Sequence, residues 1–175
     1  MVTIHDFQQQ VVRTDRRPPK DKTRTAVLGV FGELGSLMSE FKKRRREGPG
    51  YTSFNMNLVE EAGDLLWYFT ALGLDLGLDL HRLVSLVWKA EISPDETFRE
   101  LAGRAVLQSS ETVPDQWLLA ATRAGEIARA ANREIAGDQL REALVNGMRD
   151  AIAAIQASKI SLSKAAASNM EKSFT

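Results

Sequence analysis

The fold is decided by the stretch from Val27 to Leu72, which reads VLGVFGELGSLMSEFKKRRREGPGYTSFNMNLVEEAGDLLWYFTAL. At about 100° per residue its first apolar side chains fall on one stripe about 120° wide, as an amphipathic helix requires. This stripe contains Val27, Val30, Phe31, Leu34, Leu37, Met38 and Phe41. A second stripe contains Leu58, Val59, Ala62, Leu65, Leu66, Phe69 and Leu72. We therefore expect two long helices that pack together.

Acidic side chains lie on the shoulders of both stripes. Glu33, Ser36 and Glu40 share the shoulder of the first helix. Glu61 and Asp64 are neighbours on the second, because residues three apart lie side by side on a helix. Such acids more often belong to a solvated face, but these flank the two most apolar helices and lie beside glycines that leave room for a crevice. The glycines are Gly29, Gly32 and Gly63.

Packing of the two helices is expected to bring three carboxylates from these shoulders into one crevice. Carboxylates held this close repel one another unless a cation neutralises them. Mg²⁺ prefers carboxylate oxygen, with water and substrate phosphate as its remaining ligands. The pattern predicts a Mg²⁺ site for a phosphorylated substrate, with Mn²⁺ as an alternative metal.

The composition excludes several other classes of function. The chain has 175 residues with 43% hydrophobic content, and its 23 basic residues equal its 23 acidic ones, so no overall field attracts nucleic acid or a membrane. It has no cysteine and two histidines, which disfavours thiolate chemistry and cysteine-bound zinc. Residues 1–10 lack a basic segment followed by an apolar one, and no apolar run approaches about 18 residues. We expect a cytoplasmic, all-α protein.

The remaining sequence also predicts helices and no strand. The expected helices are His5–Thr14, Leu80–Glu91, a short one capped by Ser93 and Glu96 that reaches about Leu107, Trp117–Ile135, Leu140–Ala157 and Leu162–Phe174. Gly48, Pro49 and Gly50 are expected to end the first long helix, and the segment 47–52 to act as a lid or connector. Residues 108–114 are polar and rich in turn formers, which indicates a linker.

The order of motifs repeats along the chain. Gly32-Glu33 is matched by Gly125-Glu126, and Leu58-Val59 by Leu144-Val145. Further matches pair Asp64 with Asp150 and Leu78-Asp79-Leu80 with Ile160-Ser161-Leu162. We interpret the chain as a diverged tandem duplication in which a degenerate repeat, 108–175, packs on a repeat with the acidic site, 1–107, to form a pseudo-dimeric helical bundle.

Three segments carry a family resemblance: FQQQVVRT at 7–14, LGVFGELGS at 28–36 and EEAGDLLWY at 60–68. In order and spacing they resemble the MazG-like all-α nucleoside triphosphate pyrophosphohydrolases, which are related to the dimeric dUTPases. The resemblance implies a helical bundle that uses Mg²⁺ to hydrolyse a nucleoside or deoxynucleoside triphosphate to the monophosphate and pyrophosphate. It assigns metal and catalytic roles to Glu33, Glu61 and Asp64.

One departure from the family pattern concerns the second glutamate of the family's ExxE motif, which is Ser36 here. Glu40, one turn further on, is the expected catalytic substitute, and Glu60 is a weaker one. The resemblance also suggests substrate contacts by Gln8, Lys42, Lys43 and Tyr68. Trp88 is expected in the core.

The family's Asn-x-x-Lys pair, used on phosphates, is absent from the first half and occurs as Asn169 and Lys172 in the second. Either the halves share one site, with these two residues completing it, or the second half is structural and both residues lie on the surface. The loss at Ser36 leaves open a degenerate relative that binds nucleotide or a protein partner without turnover. The basic run 42–46 is weak support for nucleic-acid binding, and we expect no nucleic-acid or membrane partner but a homo-oligomer, with a dimer of pseudo-dimers as one form.

Overall fold

The computed structural model describes residues 1–104, 112–132 and 137–172, and the regular structure of these ranges is helical. The α-helices are α1 (Ile4–Thr14), α2 (Lys22–Glu47), α3 (Phe54–Asp75), α4 (Leu80–Trp88), α5 (Phe98–Ala102), α6 (Val113–Asn132), α7 (Gly137–Ala157) and α8 (Leu162–Lys172). Two 3-10 turns, Pro19–Asp21 and Gly48–Gly50, precede and follow α2. An isolated antiparallel bridge joins Thr3 to Thr97. The prediction of an all-α fold is confirmed for these residues.

The two predicted stripes form the seam between α2 and α3. Most of their members are buried, and in α3 this includes Leu65, Leu66 and Phe69. Phe31 is an exception, with 46% of its surface exposed. It lies on the outer edge of its stripe, and α2 packs mainly against α3 and α6, which do not cover that edge.

The end of α2 agrees with the sequence pattern. The helix stops at Gly48, whose φ of 64° lies in the left-handed region that favours glycine. Arg44 then donates to the carbonyl oxygens of Gly48 and Tyr51 at 2.7 and 3.3 Å. The connector to α3 is tied down further, because the Tyr51 hydroxyl donates to Glu40. The predicted segment 47–52 is thus a connector fixed to α2.

The predicted start of α5 is wrong. Thr97, together with Glu100, forms the capping box, while Ser93 and Glu96 lie in a preceding turn. The physical reason is tertiary: the carbonyl oxygens of Pro94 and Glu96 accept hydrogen bonds from the first residues of α1 at 2.9 and 3.0 Å. A backbone held in that pairing cannot also be helical, so the helix begins at Phe98.

The same helix ends earlier than predicted, at Ala102. Most of the predicted linker, residues 108–111, lies outside the described residues, and its last two residues already belong to α6. Trp88, which was expected in the core, is partly buried against it and donates through Nε1 to the Arg104 carbonyl oxygen at 3.1 Å.

The described elements of the second half pack directly on those of the first. α6 lies against α7 and α2, α8 returns to α3, and α7 contacts α4. Buried apolar residues from both halves form one continuous core. In the described ranges, no helix is both long enough and apolar enough to cross a membrane.

Candidate functional site

Three carboxylates from two helices meet on the α2–α3 seam. Glu33 comes from α2, and Glu61 and Asp64 come from adjacent turns of α3. One oxygen of each lies within 4.8 Å of the others, and all three side chains are partly buried. Among the described residues they form the one cluster of this kind, and they are the three to which the family resemblance assigns metal roles.

Two glycines allow the close approach that shapes this region. A Cβ at Gly63 would collide with the backbone oxygen of Ala165 and lie 3.1 Å from the Cβ of Asn169, so α8 rests directly on α3 at this residue. A Cβ at Gly29 would collide with the ring of Tyr68. The aromatic ring therefore lies across α2, beside the acidic cluster.

Mutual repulsion marks the electrostatics of the cluster. The pKa of Glu33 is raised to about 8 by burial, by a hydrogen bond with Glu61 and by the negative charges of Asp64 and Glu61. The nearby Lys172 partly offsets this rise. At neutral pH and without another cation, Glu33 therefore keeps a proton. Burial and the charges of Glu33 and Asp64 also raise the pKa of Tyr68.

The C-terminal helix supplies two polar groups to the same cluster. Asn169 Nδ2 donates to Asp64 Oδ1 at 2.8 Å, and Lys172 Nζ donates to Asp64 Oδ2 at 2.7 Å. Lys172 Nζ also lies 2.7 Å from Glu60 Oε1. Burial alone would lower the pKa of Lys172, but its hydrogen bonds to Asp64 and Glu60 raise it. The structure thus joins residues more than a hundred positions apart, and Asn169, at 7% exposed, is not a surface residue.

A pocket of about 230 Å³ opens beside the carboxylates. Its lining consists of Thr14, Glu33, Asp64, Trp67, Tyr68 and Asn169. Thr14 had no individual role in the sequence analysis, although it ends the motif at 7–14. Its hydroxyl accepts a hydrogen bond from Trp67 Nε1 at 3.0 Å, and this bond fixes the indole at the pocket wall.

Other predicted site residues lie elsewhere. The Oε1 atom of Gln8 accepts from the backbone N–H of Leu80 at 2.6 Å, so Gln8 caps the start of α4. Glu40 does not join the carboxylate cluster. It is buried, and it accepts hydrogen bonds from Lys43, Tyr51 and Asn57. The interpretation of Glu40 as a substitute for the missing glutamate is therefore replaced by a structural role, since its carboxylate joins α2 to the connector and to α3.

The two lysines also lie outside the pocket. Lys43 pairs with Glu40. Lys42 lines a separate pocket of about 490 Å³ between α2 and α6, with Phe41 and Trp117 among its walls. Neither lysine lines the pocket beside the carboxylates. The geometry thus gives no support to their expected contact with substrate.

In the second half, an arginine lies between two acids that the interpretation as a sequence repeat would match with members of the cluster. Arg123 Nε donates to Asp150 at 2.8 Å, and its Nη1 donates to Glu126 at 2.9 Å. By the sequence repeat, Asp150 corresponds to Asp64 and Glu126 to Glu33. The counterpart of Glu61 is Gly147, where a Cβ would lie 2.7 Å from Ile127 Cδ1. A guanidinium thus fills the place between the two remaining acids.

Comparison with protein-family models, with curated proteins and with solved structures finds no match.

Proposed function

We propose that the chain is a Mg²⁺-dependent nucleotide pyrophosphohydrolase of the MazG-like all-α type, which cleaves a nucleoside triphosphate to the monophosphate and pyrophosphate. The observation that carries this proposal is the meeting of the Glu33, Glu61 and Asp64 cluster with Asn169 and Lys172 of α8, beside a pocket whose lining includes Glu33, Asp64 and Asn169. Three carboxylates can bind a metal, and a lysine with a neighbouring amide N–H can bind phosphate oxygens, and a metal and a polyphosphate need both kinds of group.

The donor set fits a hard divalent cation. Its atoms are carboxylate oxygens, and neither histidine belongs to the cluster, which favours Mg²⁺ or Mn²⁺ over zinc. Burial, the hydrogen bond with Glu61 and the charges of Asp64 and Glu61 raise the pKa of Glu33, and a bound cation would favour its ionised form. Glu33, Glu61 and Asp64 are the residues that would hold it. When bound, such an ion neutralises charge on the phosphates and makes water a better nucleophile.

The chain's other groups fit the remaining tasks. Asn169 lines the pocket, and Lys172 is bonded to Asp64 of its lining, so both carry N–H donors close enough to serve phosphate oxygens. Tyr68 and Trp67 offer aromatic surfaces that suit a nucleobase, and they meet edge to face at 5.0 Å between ring centroids. Tyr68 packs tightly on α2 at Gly29 and forms part of the pocket wall.

We also propose that the two halves form a fused pseudo-dimer with one working site. The supporting pattern is reciprocal: α8 of the second half packs on α3 of the first, and α4 of the first packs on α7 of the second. The contact of α8 with α3 holds the carboxylate cluster and the Asn-x-x-Lys pair. In the second half, Arg123 binds Asp150 and Glu126 instead. Leu28 and Phe31, exposed on α2, would suit association into a larger homo-oligomer.

A second candidate function is nucleotide binding without turnover. The observation that favours it is the loss of one carboxylate at Ser36, which Glu40 does not replace because its own carboxylate is engaged elsewhere. A site with one acid fewer can still bind metal and phosphate while it positions water poorly.

Pyrophosphate release from a panel of nucleoside triphosphates, with Mg²⁺ or Mn²⁺, separates the two functions. We expect release by the wild-type protein and a loss on the order of a hundredfold in kcat/KM for Glu61→Gln, which removes a metal ligand. Glu126→Gln is the control, because it also replaces a glutamate by glutamine, but in the second half and outside the carboxylate cluster. It should leave the rate nearly unchanged. Nucleotide binding without any pyrophosphate release would favour the second function.

A further inference from the structure

Both oxygens of the Asp64 carboxylate are engaged by α8. Oδ1 accepts from Asn169 and Oδ2 accepts from Lys172, at 2.8 and 2.7 Å. The Lys172 ammonium also lies 2.7 Å from Glu60, which is not in the three-carboxylate cluster. A cation of the protein itself thus occupies one side of a carboxylate that a metal would need.

A divalent cation and an ammonium cannot share Asp64 without cost. Both carry positive charge, and at separations of a few ångströms their repulsion is large even when the surroundings are partly solvated. Binding of the metal to Asp64 therefore requires that Lys172 move away or that the metal accept weaker binding.

Lys172 is able to move, in contrast to Arg123 in the second half. The two cations are similarly exposed, at 40% for Lys172 and 34% for Arg123, but the side chain of Asp64 is 25% exposed and that of Asp150 only 8%. Lys172 also has a flexible four-carbon stem. Arg123 makes bonds through two different nitrogens to two acids, which fixes its plane. Lys172 and Arg123 each neutralise an aspartate, but only Lys172 can leave its aspartate without disturbing a second fixed bond of the same planar group.

We propose that Lys172 is a built-in counter-ion that competes with a divalent cation for Asp64 while the nucleotide is absent. Anionic phosphate in the pocket gives the ammonium a new partner and draws it from Asp64. Metal and nucleotide then favour each other's binding, since each is more stable once Lys172 has changed partner. This inference rests on the proposed function of the site.

The test is Mn²⁺ binding to the whole protein without nucleotide, measured by electron paramagnetic resonance of free Mn²⁺. We expect Lys172→Met to bind Mn²⁺ on the order of tenfold more tightly than the wild-type protein, because a like charge beside the metal is gone. Lys172→Gln, which can still donate to Asp64, should also bind Mn²⁺ more tightly, and Lys172→Arg should stay near wild type. Lys20→Met is the control, because it removes the same charge from an exposed side chain outside the site.

The outcomes separate this inference from the proposed function. Unchanged or weaker Mn²⁺ binding by Lys172→Met and Lys172→Gln, with melting temperatures near wild type, would show that Lys172 is only a structural contact and would overturn the inference. An equal gain in Lys20→Met would also overturn it, since net charge alone would then explain the effect. Absence of Mn²⁺ binding in every variant would remove the metal site itself, and the proposed function with it.

Discussion

Gly63 sets the distance between α3 and α8. An added Cβ would meet the Ala165 backbone oxygen, which cannot rotate away as a side chain can. We predict that Gly63→Ala destabilises the fold by about 1–3 kcal/mol through overpacking and weakens nucleotide binding as α8 is pushed from Asp64. Urea denaturation and a nucleotide titration measure the two effects.

Gly35 provides the matched control for this substitution. It also lies within a helix, but no atom lies within 4 Å of the place where its Cβ would be. Gly35→Ala should therefore stabilise the protein by roughly 0.5–1 kcal/mol, through the better helix propensity of alanine. Equal destabilisation by both variants would contradict the role given to Gly63.

Glu33 should make the metal-free protein less stable as the pH rises. Its pKa is about 8 in the folded protein, against an ordinary value of 4.5. Between these values the unfolded chain has released this proton and the folded protein still binds it, so the free energy of unfolding falls with rising pH. The loss is complete above pH 8 and absent below about 4.5.

Glu33→Gln removes this titration. As the pH rises from 5 to 8, the free energy of unfolding of the variant should increase relative to that of the wild-type protein. Urea denaturation in the presence of a chelator measures this difference. Saturating Mg²⁺ should stabilise the wild-type protein more at pH 8 than at pH 5, because protons compete with the metal for Glu33. A constant difference between the two proteins at both pH values would show that Glu33 does not titrate in this range.

Among the elements, α1 is joined to the end of α3 by one buried arginine. Arg17 donates to Asp15 at 2.9 Å and to Asp75 at 2.7 Å, and a further bond reaches the Lys22 carbonyl oxygen at 2.8 Å. Burial alone would raise the pKa of Asp15, but its hydrogen bonds with Arg17 and Lys22 hold that pKa well below its usual range. The segment 16–19, interpreted from sequence only as a break, is thus the anchor between three helices.

Arg17→Met should destabilise the fold by about 3–5 kcal/mol at pH 7, because it leaves Asp75 without its guanidinium partner and Asp15 with Lys22 alone. The exposed neighbour Arg16 is the control, and Arg16→Met should change stability by less than about 0.5 kcal/mol. The lowered pKa of Asp15 contributes stability above pH 4 or so, and this contribution is lost as the pH falls towards the folded value. The difference between wild type and Arg17→Met should therefore shrink from pH 7 to pH 3 in urea titrations.

The helices differ in how far local sequence specifies them. The apolar period of α2 and α3 and the stop at Gly48 are strong local signals, and both are confirmed. The start of α5 could not be predicted in this way, because the bonds that exclude Ser93 from the cap come from α1, some 90 positions away in the chain. Likewise, the position of Glu40 depends on Tyr51 and Asn57, which only the folded connector brings to it.

The site itself follows the same rule. Glu33, Glu61 and Asp64 were predictable because two regular helices fix their relative positions. Lys172 and Asp64 are 108 positions apart in the chain, so the periodicity of apolar residues within one helix cannot predict their contact. Only the family resemblance and the repeat indicated that Lys172 could join the site, and they did so as one of two alternatives.

For the whole molecule, Arg123 should matter for stability and not for the site. Arg123→Met leaves Asp150, which is 7% exposed, without its guanidinium partner, and we predict a loss of about 1.5–3 kcal/mol. The exposed Arg129 on the same helix is the control. Thermal unfolding of both variants, with nucleotide binding measured well below the transition, checks the prediction. Weaker nucleotide binding by folded Arg123→Met would contradict the proposal that the chain has one working site, built around Glu33, Glu61 and Asp64.

The return of α8 to α3 has a consequence for synthesis. Translation is vectorial, so α2 and α3 leave the ribosome well before the residues that neutralise Asp64. Until α8 is made, the nascent chain carries three crowded acids without Lys172, and a strip of α3 around Gly63 has no helix upon it. The docking of α8 therefore completes both the core and the charge balance of Asp64 in one late step.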